Sequence, residues 1–176
     1  MTNQFRDIFD SGAIGQVVQD YEIVTDPSVV PVAEPPRRVR VHVRDKLKDK
    51  LDELVAQGVI TPVTAPTAWV SNLVVVDKPS GDIRLCMDPN VLNQAIRREH
   101  YPTPTLDEVT SRLSNAKVFS VVDASRALWQ IGLSESSANL CCFHTPFGRY
   151  RWERLRPPVW NPVSPGSMAA HHARFS

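Results

Sequence analysis

The stretch that most constrains this chain runs from Lys117 to Ile131. Val118, Phe119, Val121 and Val122 are β-prone and lead to a single carboxylate, Asp123, which a turn of small and polar residues follows. Such a layout sets Asp123 at the end of a buried strand, where a hard cation could use its oxygens. On its own the pattern favours a plainer reading, an aspartate that opens a turn. The rest of the chain has to decide between the two.

With 176 residues the chain is long enough to bury a real core in one domain or slightly more. A net charge of +1 does not by itself announce a nucleic-acid partner, so any basic surface has to be local. Cys86, Cys141 and Cys142 fit neither a disulfide framework nor a zinc spacing and read as reduced thiols. No run approaches the roughly 18 apolar residues of a membrane span, and no charged-then-apolar leader opens the chain. An intracellular protein, cytoplasmic or nuclear and not secreted, with no membrane partner, is therefore expected. Fifteen prolines are many for this length, and four of them fall between Pro157 and Pro165.

Residues 1 to about 40 read as extended and irregular, because Pro27, Pro31, Pro35 and Pro36 break any helix. Arg44 to Gln57 predicts a helix, with Leu47, Leu51, Leu54 and Val55 on one face, a charged opposite face and Gly58 as its stop. Strands are expected over 73–76 and 83–87, joined by the turn Pro79-Ser80-Gly81-Asp82. Thr105 and Glu108 have the spacing of a capping box, with Leu106, Val109 and Leu113 at helical spacing behind it. Further strands are expected over 117–123, 129–133, 139–144 and 149–153, the last two closed by Pro146-Phe147-Gly148.

Several landmarks recur in a fixed order. They are Pro35-Pro36-Arg37-Arg38-Val39, Gly58-Val59-Ile60, Trp69-Val70-Ser71, Asp88-Pro89 with Leu92-Asn93, and Arg98 with His100-Tyr101-Pro102. Gln130-Ile131 and Thr145-Pro146-Phe147-Gly148-Arg149-Tyr150 continue the series. Together with the stretch around Asp123, they resemble the reverse transcriptase domain of gypsy-type LTR retrotransposon Pol polyproteins over about residues 5–155. The resemblance implies an α+β fold, a partial right-hand polymerase with fingers and an incomplete palm. It also divides the chain into an extended lead-in (1–40), fingers and N-terminal palm (41–155) and a tail (156–176).

What the resemblance implies about chemistry is nucleotide addition. A primer 3′-hydroxyl attacks an α-phosphate between two magnesium ions about 4 Å apart. Asp123 matches the first catalytic, metal-binding carboxylate. Lys78 and Arg84 match cations that contact the incoming triphosphate, one a point charge and the other a planar fork. Leu128 stands where an aromatic residue normally packs beneath the sugar. Arg37, Arg38, Arg97 and Arg98 are candidates for contacts to the backbone of an RNA or DNA template–primer. Without the resemblance, Lys78 and Arg84 read as solvated strand-end cations.

Departures from the family matter as much. Its other two carboxylates form an adjacent Asp-Asp pair on a later hairpin, and no such pair occurs in these 176 residues. Arg126, Ala127 and Leu128 replace the usual Ser-Gly-aromatic. Past Leu155 the match stops; permitted codons for Pro157 to Ala169, read one base later, can spell the family's Leu-Pro-Phe-Gly block and its Ala-Pro and Trp-Gln. A frameshifted, disordered tail from about residue 156 is therefore expected, in which His171-His172 carries no metal. The expected function is a magnesium-dependent reverse transcriptase fragment, inactive as it stands. A non-catalytic nucleic-acid-binding or interaction module is the alternative.

Overall fold

The computed structural model describes residues 14–97, 104–113, 117–118 and 126–155. Helix α1 (Arg44–Ala56) forms where the leucine period places it. Leu47, Leu51 and Leu54 are buried, while Lys46, Asp49, Asp52 and Glu53 face solvent. Lys48 pairs with Asp52, and Lys50 with Glu53 at 2.7 Å, pairs at helical spacing worth a few tenths of a kcal/mol each. Gly58 ends the helix at φ +65°. Its N–H reaches the Val55 carbonyl, and the Val59 N–H reaches that of Leu54, a paired closure that favours glycine in the left-handed position.

Five strands follow: β1 (Ile60–Val63), β2 (Ser71–Asp77), β3 (Ile83–Asp88), β4 (Cys142–Thr145) and β5 (Gly148–Trp152). They lie in the order β1-β5-β4-β2-β3, antiparallel except for the short parallel contact of β2 with β4. Alternation along the strands sends Ile60, Leu73, Ile83, Leu85, Met87, Phe143, Tyr150 and Trp152 to one face, all buried. Helix α1 packs against β1 and β3 and joins this core. The Phe143 ring lies 6.0 Å from that of Tyr150 and 5.5 Å from that of Trp152, centroid to centroid. The opposite face carries Asn72, Arg84, His144, Arg149 and Arg151 among Val63, Val74, Val76, Cys86 and Cys142, so the molecule is an α+β fold with one apolar and one mixed sheet face.

Three shorter helices complete the described residues: α2 (Asn90–Ala95), α3 (Leu106–Leu113) and α4 (Glu135–Leu140). The capping box at α3 is made in both directions. The Thr105 N–H donates to Glu108 Oε2 at 2.9 Å and the Glu108 N–H to Thr105 Oγ1 at 3.3 Å. The apolar residues at helical spacing behind it, Leu106, Val109 and Leu113, are exposed.

Two expected strands are corrected. Over 129–133 the chain instead makes a 3-10 turn (Ala127–Gln130), followed by single bridges at Gly132 and Leu133. Over 139–144 it first completes α4 and enters β4 only at Cys142. The cause is an N-cap: Ser134 Oγ accepts from the Ser137 N–H at 3.2 Å, which starts a helix at Glu135 that runs on to Leu140, into the first residues of the expected strand. Strand β1 and helices α2 and α4 were not anticipated. Of the strand expected over 117–123 only residues 117 and 118 are described, neither in a regular element. Asp123, Arg98 and the tail from 156 lie outside the described residues.

The described part of the lead-in, from residue 14, is extended and held against the body at several points. Residues 17–21 run beside 130–134, with Val17 N–H to Gln130 O at 2.7 Å, Tyr21 N–H to Gly132 O at 2.8 Å and Ser134 N–H to Tyr21 O at 3.1 Å. Asp26 N–H reaches Ala95 O at 2.7 Å, and Glu34 N–H reaches Val70 O at 2.8 Å. Below it acts as a strap (residues 14–34).

Candidate functional site

The β2–β3 hairpin organises most of the cations that the sequence singles out. Lys78 stands at its tip, where the Lys78 N–H donates to Asp82 O at 2.8 Å and the Gly81 N–H to Lys78 O at 2.9 Å. Its ammonium pairs with Asp82 Oδ2 at 3.1 Å, and Lys46 from α1 donates to the Gly81 carbonyl at 2.9 Å. The Lys78 ammonium and the Ile83 N–H hold the Asp82 carboxyl below its ordinary range. Beside the tip, Lys46, Asp49, Lys50, Glu53, Gly81 and Asp82 line an open cleft of about 280 Å³. Its charges largely cancel, and Lys50 depresses the pKa of Glu53 across it.

Every carboxylate on the hairpin has a cation. Asp77 takes Arg40 at 2.9 Å, Asp82 takes Lys78, and Asp88 takes Arg37 at 3.0 Å. Arg84, paired in register with Val76 on the mixed face, is exposed and makes no ion pair or hydrogen bond among the described residues. Among the described residues it is the hairpin's uncommitted charge. Arg38 is likewise exposed, beside Leu73 and Val75.

The remaining candidates are dispersed. Arg37 is tied to the end of the hairpin away from Lys78, and its N–H donates to Asn72 Oδ1 at 3.0 Å. Arg97 follows α2, its side chain 3.6 Å from Asp26 and its N–H bonded to Val24 O, so its first partner is the strap. Leu128 is half-buried in the 3-10 turn. Arg126, just before it, has φ +52° and lays its guanidinium 5.7 Å from the centre of the Trp129 ring. That cation–π contact explains how a large charged residue is accommodated there. Among the described residues no three His, Cys, Asp or Glu side chains cluster to hold a metal ion. Asp123, the metal ligand that the resemblance implies, lies outside these residues.

Sequence reasoning missed a row of polar side chains across the outer sheet face. Arg149 pairs in register with His144, and His144 with Asn72. Burial, and secondarily Arg149, lowers the His144 pKa, while burial raises that of the Cys142 thiol. Arg149 reaches Thr67 Oγ1 at 3.3 Å, and Arg151 is held by Glu153 at 2.8 Å. The signal was available in the alternation of 142–152, but only with the correct strand boundaries.

No family model matches the chain. An uncharacterized protein of Caenorhabditis elegans is 30% identical over 158 residues, 88% of this chain and 12% of that protein. The retrovirus-related Pol polyprotein from transposon opus of Drosophila melanogaster is 31% identical over 120 residues, 65% of this chain and 12% of the polyprotein. The chain thus spans about an eighth of the length of these relatives. Among solved structures, prototype foamy virus protease-reverse transcriptase superposes with a TM-score of 0.73 at 18% identity, over 97% of this chain and 23% of that one. This chain is a relative of Pol polyproteins with a reverse-transcriptase-like fold. The foamy virus enzyme in complex with an RNA/DNA hybrid superposes similarly, with a TM-score of 0.72 at 16% identity over 97% of this chain and 23% of that one. The resemblance drawn from the sequence thus holds for retroelement Pol proteins and for the fold.

Proposed function

We propose that this reverse-transcriptase-like chain binds the backbone of a template–primer and the phosphates of an incoming nucleotide through the β2–β3 hairpin, with Arg84 as the principal contact and Lys78 beside it. The observation that carries the reading is the commitment of charge. Asp77, Asp82 and Asp88 each hold a cation, and among the described residues Arg84 is left exposed with its five donors available. The foamy virus relatives in complex with double-stranded DNA and with an RNA/DNA hybrid support nucleic acid as the ligand class. Arg38 lies beside Leu73 and Val75, on the sheet face opposite Arg84; Lys78, Arg37 and Arg97 would have to leave Asp82, Asp88 and Asp26 to contribute. Arg98 remains a candidate by sequence.

In this reading the parent element is gypsy-type, Asp123 is the catalytic residue and magnesium ligand, and Leu128 is a nucleotide-facing wall. A leucine is smaller and more pliant than an aromatic ring, so discrimination against ribonucleotides is weakened. The residue divisions stay as the sequence suggests, and the protein acts inside the cell. The 176 residues contain no Asp-Asp pair, so the chain alone does not extend a primer. That feature favours the second reading, a non-catalytic nucleic-acid-binding module.

Anisotropy of a labelled RNA–DNA duplex titrated with the full chain tests the binding. Affinity is expected to fall steeply between about 50 and 200 mM salt, and Arg84→Ala to reduce the slope of log affinity against log salt by about 1. Binding that ignores salt, or an Arg84→Ala variant that binds like the parent, would overturn the assignment. Primer extension abolished by Asp123→Asn would overturn inactivity alone.

A further inference from the structure

We infer that Arg154 is a positioning residue that couples the N-terminal strap to the turn carrying Leu128. One nitrogen of its guanidinium donates to two backbone carbonyls, Trp129 O at 2.9 Å and Gly15 O at 3.2 Å. No carboxylate pairs with it among the described residues, so its charge is spent on the two segments it joins. Charge-assisted bonds to carbonyls are stronger than neutral ones.

The backbone around Arg154 has the same design. Residues 131–133 form the middle line of a small ladder. On one side lies the strap, through Tyr21 N–H to Gly132 O and the parallel bridge of Tyr21 with Leu133. On the other lies the chain leaving β5, through Leu133 N–H to Glu153 O at 2.9 Å and Leu155 N–H to Ile131 O at 2.8 Å. Gly15 also lies against the Gln130 side chain, where an added Cβ would come within 3.1 Å of its amide oxygen. The 3-10 turn is thus held at its carbonyls by Val17 and Arg154 and continues into a strip paired on both sides. The consequence is that the position of Leu128 depends on residues more than a hundred positions earlier in the chain. Only the relevance of Leu128 to a nucleotide rests on the proposed function; the coupling itself does not.

Hydrogen exchange of the full chain, followed by mass spectrometry, separates the two. In Arg154→Ala the amides of 128–134 and of 16–21 are expected to exchange about tenfold faster, with α1 and the β2–β3 hairpin unchanged. Arg154→Lys, which keeps a cationic donor, is expected to restore most of the protection and keeps the test open if the alanine variant fails to fold. Val17→Pro removes only the donor to Gln130 O and is expected to speed exchange in 128–134 with Arg154 intact. Uniform acceleration through α1, unaltered exchange in 128–134, a lysine variant as fast as the alanine one, or a Val17→Pro effect confined to 16–21 would each overturn the coupling. None of these outcomes depends on whether nucleic acid binds.

Discussion

The hairpin with its covering helix and the strap with its turn are built on opposite plans. Helix α1 and the β2–β3 hairpin are close in sequence and joined by apolar side chains. Leu47, Leu51 and Leu54 meet Ile83, Leu85 and Met87 in a single core, and each polar partner of the hairpin tip lies on the tip itself or on α1. The strap and the 127–137 segment are over a hundred residues apart and are joined by backbone hydrogen bonds and by the hydroxyls of Ser136 and Ser137. Burial of apolar area is non-directional and tolerant of small shifts; backbone bonds fix register but each contributes little. The first plan makes a rigid platform for Arg84. The second makes a seam whose order depends on several weak bonds holding together.

The largest effect should fall on the apolar plan. Leu51 is fully buried on the central turn of α1. Leu51→Ala is expected to cost about 2–5 kcal/mol and to lower stability in every part of the chain at once, by chemical denaturation followed at two probes. If instead only the helix melts while the sheet around Trp152 keeps its midpoint, α1 is not part of the core that supports the hairpin. The contrast between the two regions would then collapse.

A smaller effect should fall on the seam. Ser137 is fully buried at the start of α4; its hydroxyl accepts from the Ile23 N–H at 2.7 Å and from the Ser134 hydroxyl at 2.8 Å. Ser137→Ala leaves the strap donor without its partner and is expected to cost about 1–3 kcal/mol. The loss should appear as faster proteolysis within the strap before any change in α1. Neighbouring Ser136 donates to Glu22, whose carboxyl is held below its ordinary range by the hydroxyls of Ser134 and Ser136. A Ser137→Ala variant with a strap as resistant as the parent would show that the hydroxyl cluster is incidental.

The same contrast explains what the sequence could and could not tell. Helix α1, its Gly58 stop, the hairpin and the Thr105–Glu108 box were legible because each is encoded within a dozen residues, by period, turn chemistry or capping spacing. The strap was legible as extended but not as docked, since no local pattern says that Tyr21 will meet Gly132. Ser134 caps a helix that runs to Leu140, two residues into the stretch expected as strand over 139–144. Of the candidate site, Lys78 and Arg84 could be placed on the hairpin, because turn residues fix strand ends. Ion pairs such as Arg37 with Asp88 could not, because they join segments about fifty residues apart.

The smallest effect is at Arg126, and its size comes from opposing terms. A non-glycine residue at φ +52° costs about 1–2 kcal/mol relative to ordinary backbone, which a glycine would recover. The same substitution removes the contact of the guanidinium with the Trp129 ring, worth about 0.5–1 kcal/mol at an exposed site. It also frees the unfolded backbone, which costs a further 0.5–1 kcal/mol or about that. The sum is close to zero, so Arg126→Gly is expected to shift the unfolding free energy by less than about 0.5 kcal/mol. Arg126→Ala keeps the strain and loses the ring contact, so it should be clearly less stable than Arg126→Gly. If the two variants are equal, the left-handed backbone at 126 relaxes without cost, and the turn before Leu128 is less firmly held than its hydrogen bonds require.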